Sequence, residues 1–251
     1  MNWLPPNGAL HGLAIDHLLR WNLTVLFWLF VAAQALLVAA LVRRWVSRGE
    51  GHAVQHRSGA AFFFADLLPL AAITALYIWM MFASHKLWAA SRESVESPQA
   101  VQVEVTGEQF EWYFRYPGAD GVFGATRADL INAPQGNPLG LDPADAHAAD
   151  DIVSAILVLP AGRPVDVTLR SIDVIHGFAI PGMRLKQDAI PGMTGHLQFT
   201  PAVPGEYPIL CTQVCGLGHA RMQARLRVVA PADYERWIAA RESALRAEAA
   251  R

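Results

Sequence analysis

The only two cysteines of the chain stand close to a histidine and a methionine, in Cys211-Thr-Gln-Val-Cys215-Gly-Leu-Gly-His219-Ala-Arg-Met222. Thiolate and thioether are soft ligands and imidazole is borderline, so the set suits copper far better than magnesium or calcium. Gly216 and Gly218 let the backbone turn tightly between the donors. A Cys-x3-Cys pair taken alone reads equally as a disulfide. A disulfide needs neither His219 nor Met222, and a single-copper blue site needs only one cysteine. Two cysteines suggest two bridging thiolates and two copper ions. The second copper needs another imidazole from upstream. His176 is the best candidate: it ends Ser171-Ile-Asp173-Val-Ile-His176, after a β-branched pattern and before the Pro181-Gly turn.

The elements that must position these residues are short strands. Val101, Val103 and Val105 alternate with polar residues. The aromatic run Gly107 to Tyr116, then Ile152 to Leu159, Val165 to Arg170, Gly195 to Thr200 and Ala224 to Val229 continue the series. Turn residues separate them, which argues for a β-sandwich or barrel. Residues 118–151 are rich in Gly, Pro, Ala and Asp and too long for a hairpin loop, so they read as an excursion. Past Pro231, Tyr234, Trp237, Ile238 and Leu245 mark the apolar stripe of a short C-terminal helix.

The chain has 251 residues, enough for one membrane region and one ordinary domain. A formal net charge of −2 gives no case for nucleic acid. Trp21 to Val42 carries no charge, and at ~1.5 Å per residue it crosses a ~30 Å hydrocarbon core. Leu67 to His85 is a second apolar run. Between them lie Arg43, Arg44, Arg48 and Arg57, which places this loop in the cytoplasm and both termini outside. Met1 to His17 contains no Lys or Arg and so lacks the positive start of a secretory signal. The boundaries expected are 1–17 for an outer-face segment, 18–90 for a transmembrane hairpin, 91–99 for a linker, 100–230 for the copper domain and 231–251 for the C-terminal helix.

Ser-x-Asp-Val-x-His followed by Cys-x3-Cys-x3-His-x2-Met resembles subunit II of the haem–copper oxidases, the copper A subunit of cytochrome c oxidase. Lys186-Gln-Asp188-Ala-Ile-Pro191-Gly also fits, and the resemblance covers nearly the whole chain. It implies an N-terminal two-helix transmembrane hairpin, an all-β cupredoxin-like Greek-key sandwich and a dinuclear copper A centre. The implied metal set is bridging Cys211 and Cys215, terminal His176 and His219, Met222 as a weak ligand and the carbonyl of Gln213. It further implies a multi-pass protein of the bacterial inner membrane, with the copper domain on the periplasmic face. Its partners would be a haem-bearing subunit I, other subunits of the complex, and cytochrome c as donor. The implied role is electron entry into an oxidoreductase, with oxygen reduced to water in subunit I.

Three departures stand out. Gln213 replaces a family Glu whose carboxylate binds magnesium at the subunit I interface; an amide is a poorer ligand for a hard cation, which puts that site in doubt. Phe110 occupies the position of the family's electron-entry Trp, with Trp112 two residues on. Arg115 falls where acidic residues help dock a basic cytochrome c, although Asp173 matches a family carboxylate, and Asp120, Asp142, Asp145, Asp150 and Asp151 could add negative field. A nitric oxide reductase with a copper A subunit is the alternative within the superfamily. A membrane-anchored copper chaperone or thiol–disulfide protein is the alternative of another class, disfavoured because strand follows strand.

Overall fold

The computed structural model describes residues 4–46, 67–90 and 100–249, together with 59 and 64. The expected linker 91–99 and most of the Arg-rich loop lie outside the described residues. The chain divides into two compact units, one of residues 14–90 and the other of residues 1–13 with 91–251.

The first unit is helical. Helix α1 runs Gly12–Val46 and α2 runs Leu68–Ala90. At about 1.5 Å per residue, each is long enough to cross a bilayer core. Their side chains are apolar around the whole circumference, and Phe27, Trp28 and Phe30 are all exposed. Continuous apolar surface of this kind needs lipid or another protein against it. The α1 helix begins earlier than expected and takes in residues 12–17. The ring of Trp21 in α1 meets that of Trp79 in α2 at 4.8 Å, tilted by 52°.

The second unit is a sandwich of ten strands. They are β1 (Val101–Glu108), β2 (Glu111–Tyr116), β3 (Ile152–Ser154), β4 (Ile156–Pro160), β5 (Val165–Ser171), β6 (His176–Ile180), β7 (Leu185–Ala189), β8 (Gly195–Phe199), β9 (Gly205–Cys211) and β10 (Gln223–Val229). One sheet has the order β3-β2-β1-β5-β8 and the other β4-β10-β9-β6-β7. Two neighbouring pairs, β1 with β5 and β4 with β10, are parallel, so the chain crosses between sheets to return. This is the cupredoxin-like Greek key with two apolar N-terminal helices. Alternating Val101, Val103 and Val105 from one sheet meet Leu157, Leu159, Ile209 and Leu226 from the other. Helix α3 (Pro231–Ala249) starts on proline, whose missing N–H costs nothing in a first turn. Its Trp237 ring meets buried Tyr116 at 5.1 Å.

Two local outcomes differ from the sequence reading. The aromatic run is not one strand: it folds as a hairpin, with Glu108 opposite Glu111 and Gln109-Phe110 in the turn. Ile152 to Leu159 breaks at Ala155 into β3 and β4, one strand in each sheet.

Residues 118–151 leave the sheet as short 3-10 turns, held by Arg115. That side chain is 2% exposed. It donates to Glu104 at 2.8 Å, to the carbonyl of Gly124 at 2.5 Å and twice to Asp151 Oδ2. Arg115 is therefore an internal clamp and does not reach a docking face. Asp151 is buried with it and adds no surface field.

Residues before α1 also belong to the sandwich. Gly8 N–H donates to Gly182 O at 2.8 Å, and Gly8 O accepts from Ala202 N at 2.6 Å. Ala9 is buried opposite Pro201. A Cβ at Gly8 would lie 2.5 Å from the Tyr207 ring, so only glycine permits this approach.

Candidate metal centre

Strand β9 ends on Cys211 and β10 begins at Gln223, so the ligand loop closes one end of the sandwich. Cys211 N–H donates to Met222 O at 3.2 Å, joining the two ends of the loop. Thr212 N–H donates to Gly177 O at 2.9 Å, pinning the loop to β6, which opens on His176. Gly177 must be small: a Cβ there would sit 2.3 Å from Thr212 Oγ1. From the β1–β2 turn, Gln109 Nε2 donates to Cys215 O at 2.5 Å. Residues 219–221 form a 3-10 turn that delivers Met222.

These restraints gather the donors. Cys211 Sγ and Cys215 Sγ are 3.8 Å apart, and both thiols are free. His219 Nδ1 lies 3.8 Å and Met222 Sδ 3.7 Å from Cys215 Sγ. Gln213 O is 3.2 Å from Cys211 Sγ. The ligand atoms of His176, Cys211 and Cys215 all fall within 4.8 Å of one another. His176 is fully buried. Its Nε2 is 2.8 Å from Asp173 Oδ1, and its buried Nδ1 has no hydrogen-bond partner. An orphaned imidazole nitrogen beside two thiols is what a soft-metal site leaves when only its protein atoms are counted. The residues fit copper.

The electrostatics agree. Burial, with the Cys211 thiol beside it, pushes Cys215 up to about 11, so a metal must displace its proton. Burial works against ionisation of Asp173, but hydrogen bonds from His176, Val174 and Gln109 outweigh it and hold the carboxyl below its ordinary range. Both oxygens of Asp173 are thus engaged in holding the site, and its side chain is 26% exposed.

The aromatic pair divides. Trp112 is buried, edge-on to His176 at 5.8 Å and to Phe178 at 5.2 Å. Phe110 is half-buried and lies on the ligand loop, where a Cβ at Gly218 would come within 2.3 Å of its ring. Spacing gave no sign of Gln109 or Thr212 as loop braces. Asp188 accepts from Gln213 Nε2 at 2.8 Å. Gln213 thus turns an N–H donor toward the nearby carboxylate, an arrangement that does not fit a hard cation between them. The acidic residues of the excursion are mostly used locally: Asp120 with His147, Asp145 with two backbone N–H groups, and Asp142 near Arg127.

A sandwich with two free thiols, two imidazoles and a thioether at one end defines a soft-metal-binding β domain. Residues 101–229 match the family model described as cytochrome c oxidase subunit II, periplasmic domain. The chain belongs to that family. It is 42% identical over 141 residues to the alternative cytochrome c oxidase subunit 2 of Bradyrhizobium diazoefficiens, covering 55% of this chain and 50% of the relative. It is 33% identical over 140 residues to cytochrome c oxidase subunit 2 of Synechocystis, covering 56% and 33%. The matches span half or less of these curated relatives. The solved periplasmic domain of subunit II of cytochrome oxidase from Bradyrhizobium japonicum is 29% identical, covering 59% of this chain and 98% of that one, with a TM-score of 0.43.

Proposed function

We propose that the chain is the electron-entry subunit of a respiratory cytochrome c oxidase. Cys211, Cys215, His176 and His219 would hold the copper, with Met222 as a weak ligand and the carbonyl of Gln213 beside them. When bound, a copper pair supplies a one-electron store shared through the two sulfurs. The convergence of four side-chain donors from one hydrogen-braced loop with His176 from β6 carries this reading.

The protein's own residues do the rest. Asp173 fixes the His176 ring from Nε2, leaving Nδ1 toward the thiols. Thr212, Gln109 and the β9–β10 closure hold the loop, so donor positions change little when an electron arrives. Phe110, half-buried on the ligand loop, and Trp112, buried edge-on to His176, would carry the electron in from cytochrome c. The exposed part of Asp173 contributes to docking of that basic donor. The two helices anchor the domain in the bacterial inner membrane beside a haem-bearing subunit I. The Arg-rich loop faces the cytoplasm, and both termini and the copper domain face the periplasm. Oxygen chemistry belongs to subunit I.

The test uses the purified complex. Two coppers per chain, a purple colour and a signal from one electron shared between both are expected, all lost in Cys215→Ser. With reduced cytochrome c, oxygen uptake should be fast, should fall as salt rises, and should exceed anaerobic nitric oxide turnover. One copper per chain would refute the centre. Nitric oxide turnover without oxygen uptake would assign the chain to a reductase instead.

A further inference from the structure

A second group of side chains with donor atoms a metal could use lies near the centre, where β7 and β8 form the facing edges of the two sheets. A cavity of about 320 Å³ there is lined by Asp188, Met193 and His196, with Gln187 and Ile190. Met193 is 61% exposed, and His196 is exposed on β8. An exposed methionine is ordinary by itself. Here the thioether shares one cavity with an imidazole and a carboxylate. The turn beneath it is fixed by Met193 N–H donating to Ile190 O at 3.1 Å. Asp188 Oδ1 is buried without a hydrogen-bond partner, and Lys186 Nζ is 3.8 Å from it.

We propose that Met193, His196 and Asp188 form an entry site for copper(I) on its way to the dinuclear centre. The inference rests on the copper reading of that centre and adds a route to it. One soft and one borderline donor favour copper(I), whereas calcium or magnesium would need more oxygens than the cavity offers. The site adjoins its destination. Asp188 pairs with Gly177, the residue after His176, in the β6–β7 register. It also accepts from Gln213 Nε2 at 2.8 Å, and Gln213 O is 3.2 Å from Cys211 Sγ. One residue, Gln213, therefore touches both Asp188 of the cavity and Cys211 of the centre.

Transfer between them is ligand exchange. The copper–thioether, copper–imidazole and copper–carboxylate bonds to Met193, His196 and Asp188 break, and bonds to Cys211, Cys215 and a centre imidazole form. Each thiol that binds releases its proton to water. The copper stays in the +1 state and no electron moves. Two thiolates bind copper(I) more tightly than one thioether, so the direction is inward.

Two measurements on the full chain in detergent micelles test this. In the first, Cys211→Ser/Cys215→Ser protein with 13C-methyl methionine is titrated anaerobically with copper(I) and ascorbate. The Met193 methyl signal should shift and saturate at one equivalent; a static Met193 signal overturns the proposal. In the second, wild-type and Met193→Leu/His196→Gln apoprotein receive copper(I), and unprotected thiols are alkylated at timed intervals. The exposed variant positions leave the core intact, and both proteins should reach the same final protection. The variant should load at least about tenfold more slowly, because a tethered ion near the thiols has a far higher effective concentration than a free one. Equal rates overturn the entry site alone. If wild-type thiols take up no copper, the copper centre itself is refuted and the entry site falls with it.

Discussion

Replacing Arg115 with methionine keeps the length of the side chain and removes its charge. Three donors are lost at once: to Asp151, to Glu104 and to Gly124 O. Glu104 keeps a guanidinium 3.5 Å away on Arg170. Asp151 fares worse. Its side chain is fully buried, both Arg115 bonds converge on Oδ2, and Oδ1 has no partner. Only Gly124 N–H, at 3.0 Å, would remain. Breaking a buried ion pair from one side costs about 3–5 kcal/mol, because the other charge is stranded. Much of that loss should fall on residues 118–151, which Arg115 ties to β2. Amide hydrogen exchange there should accelerate roughly 10²- to 10³-fold, at about 1.4 kcal/mol per tenfold. The deficit should depend on pH. Burial already pushes the Asp151 carboxyl up, and loss of Arg115 pushes it further. A carboxyl whose folded value lies above its unfolded one binds more protons folded than unfolded. Stability therefore falls as pH rises between the two values, and the deficit of Arg115→Met is smallest in acid. Adding Asp151→Asn should recover part of the loss. A change under about 1 kcal/mol, or a deficit flat with pH, would refute the view that a stranded carboxylate dominates.

Gly218→Ala places a methyl group 2.3 Å from the Phe110 ring, so one of them must move. The metal-bound spectrum and the rate of electron entry should change together, while Gly195→Ala, whose Cβ makes only ordinary contacts of 3.6 Å or more, leaves both unaltered. Hydrogen bonding to Asp120 raises the pKa of His147 above its ordinary 6.5. Its ring resonances should titrate above that value and return toward it in Asp120→Asn. An unchanged midpoint would break the assignment of the pair.

The ligand loop was legible because soft donors are rare and sit close together in the chain. Cys211, Cys215, His219 and Met222 occupy twelve residues, and no packing argument requires them there. His176 was reachable because it follows a β-branched run and precedes the Pro181-Gly turn. What the sequence hid were the long-range pairings. Gln109 braces Cys215 across 106 positions, and nothing local to either residue signals it. Arg115 looked like a surface charge because its partner lies 36 residues away, beyond an irregular stretch. The aromatic run concealed its own turn: Phe110 to Tyr116 has the composition of a single strand, and only the pairing of Glu108 with Glu111 shows where it reverses. Asp173 was read as a docking carboxylate, yet its spacing three residues before His176 already allowed it to reach the ring.

The contacts of Gly8 and Ala9 bear on how the protein is made. These residues emerge from the ribosome well before Gly182, Pro201 and Ala202, which receive them. The helical unit is thus an insertion in the sandwich, entered from one of its segments and left by another. The sandwich cannot be completed until the stretch preceding α1 and the strands following α2 have arrived in the same compartment. If either helix failed to insert, the N-terminal segment would be stranded away from its groove, and the Tyr207 ring and Met183 would lose their cover. Correct membrane topology would then be a precondition for a finished sandwich, and the cell would have a means of withholding assembly from misinserted chains.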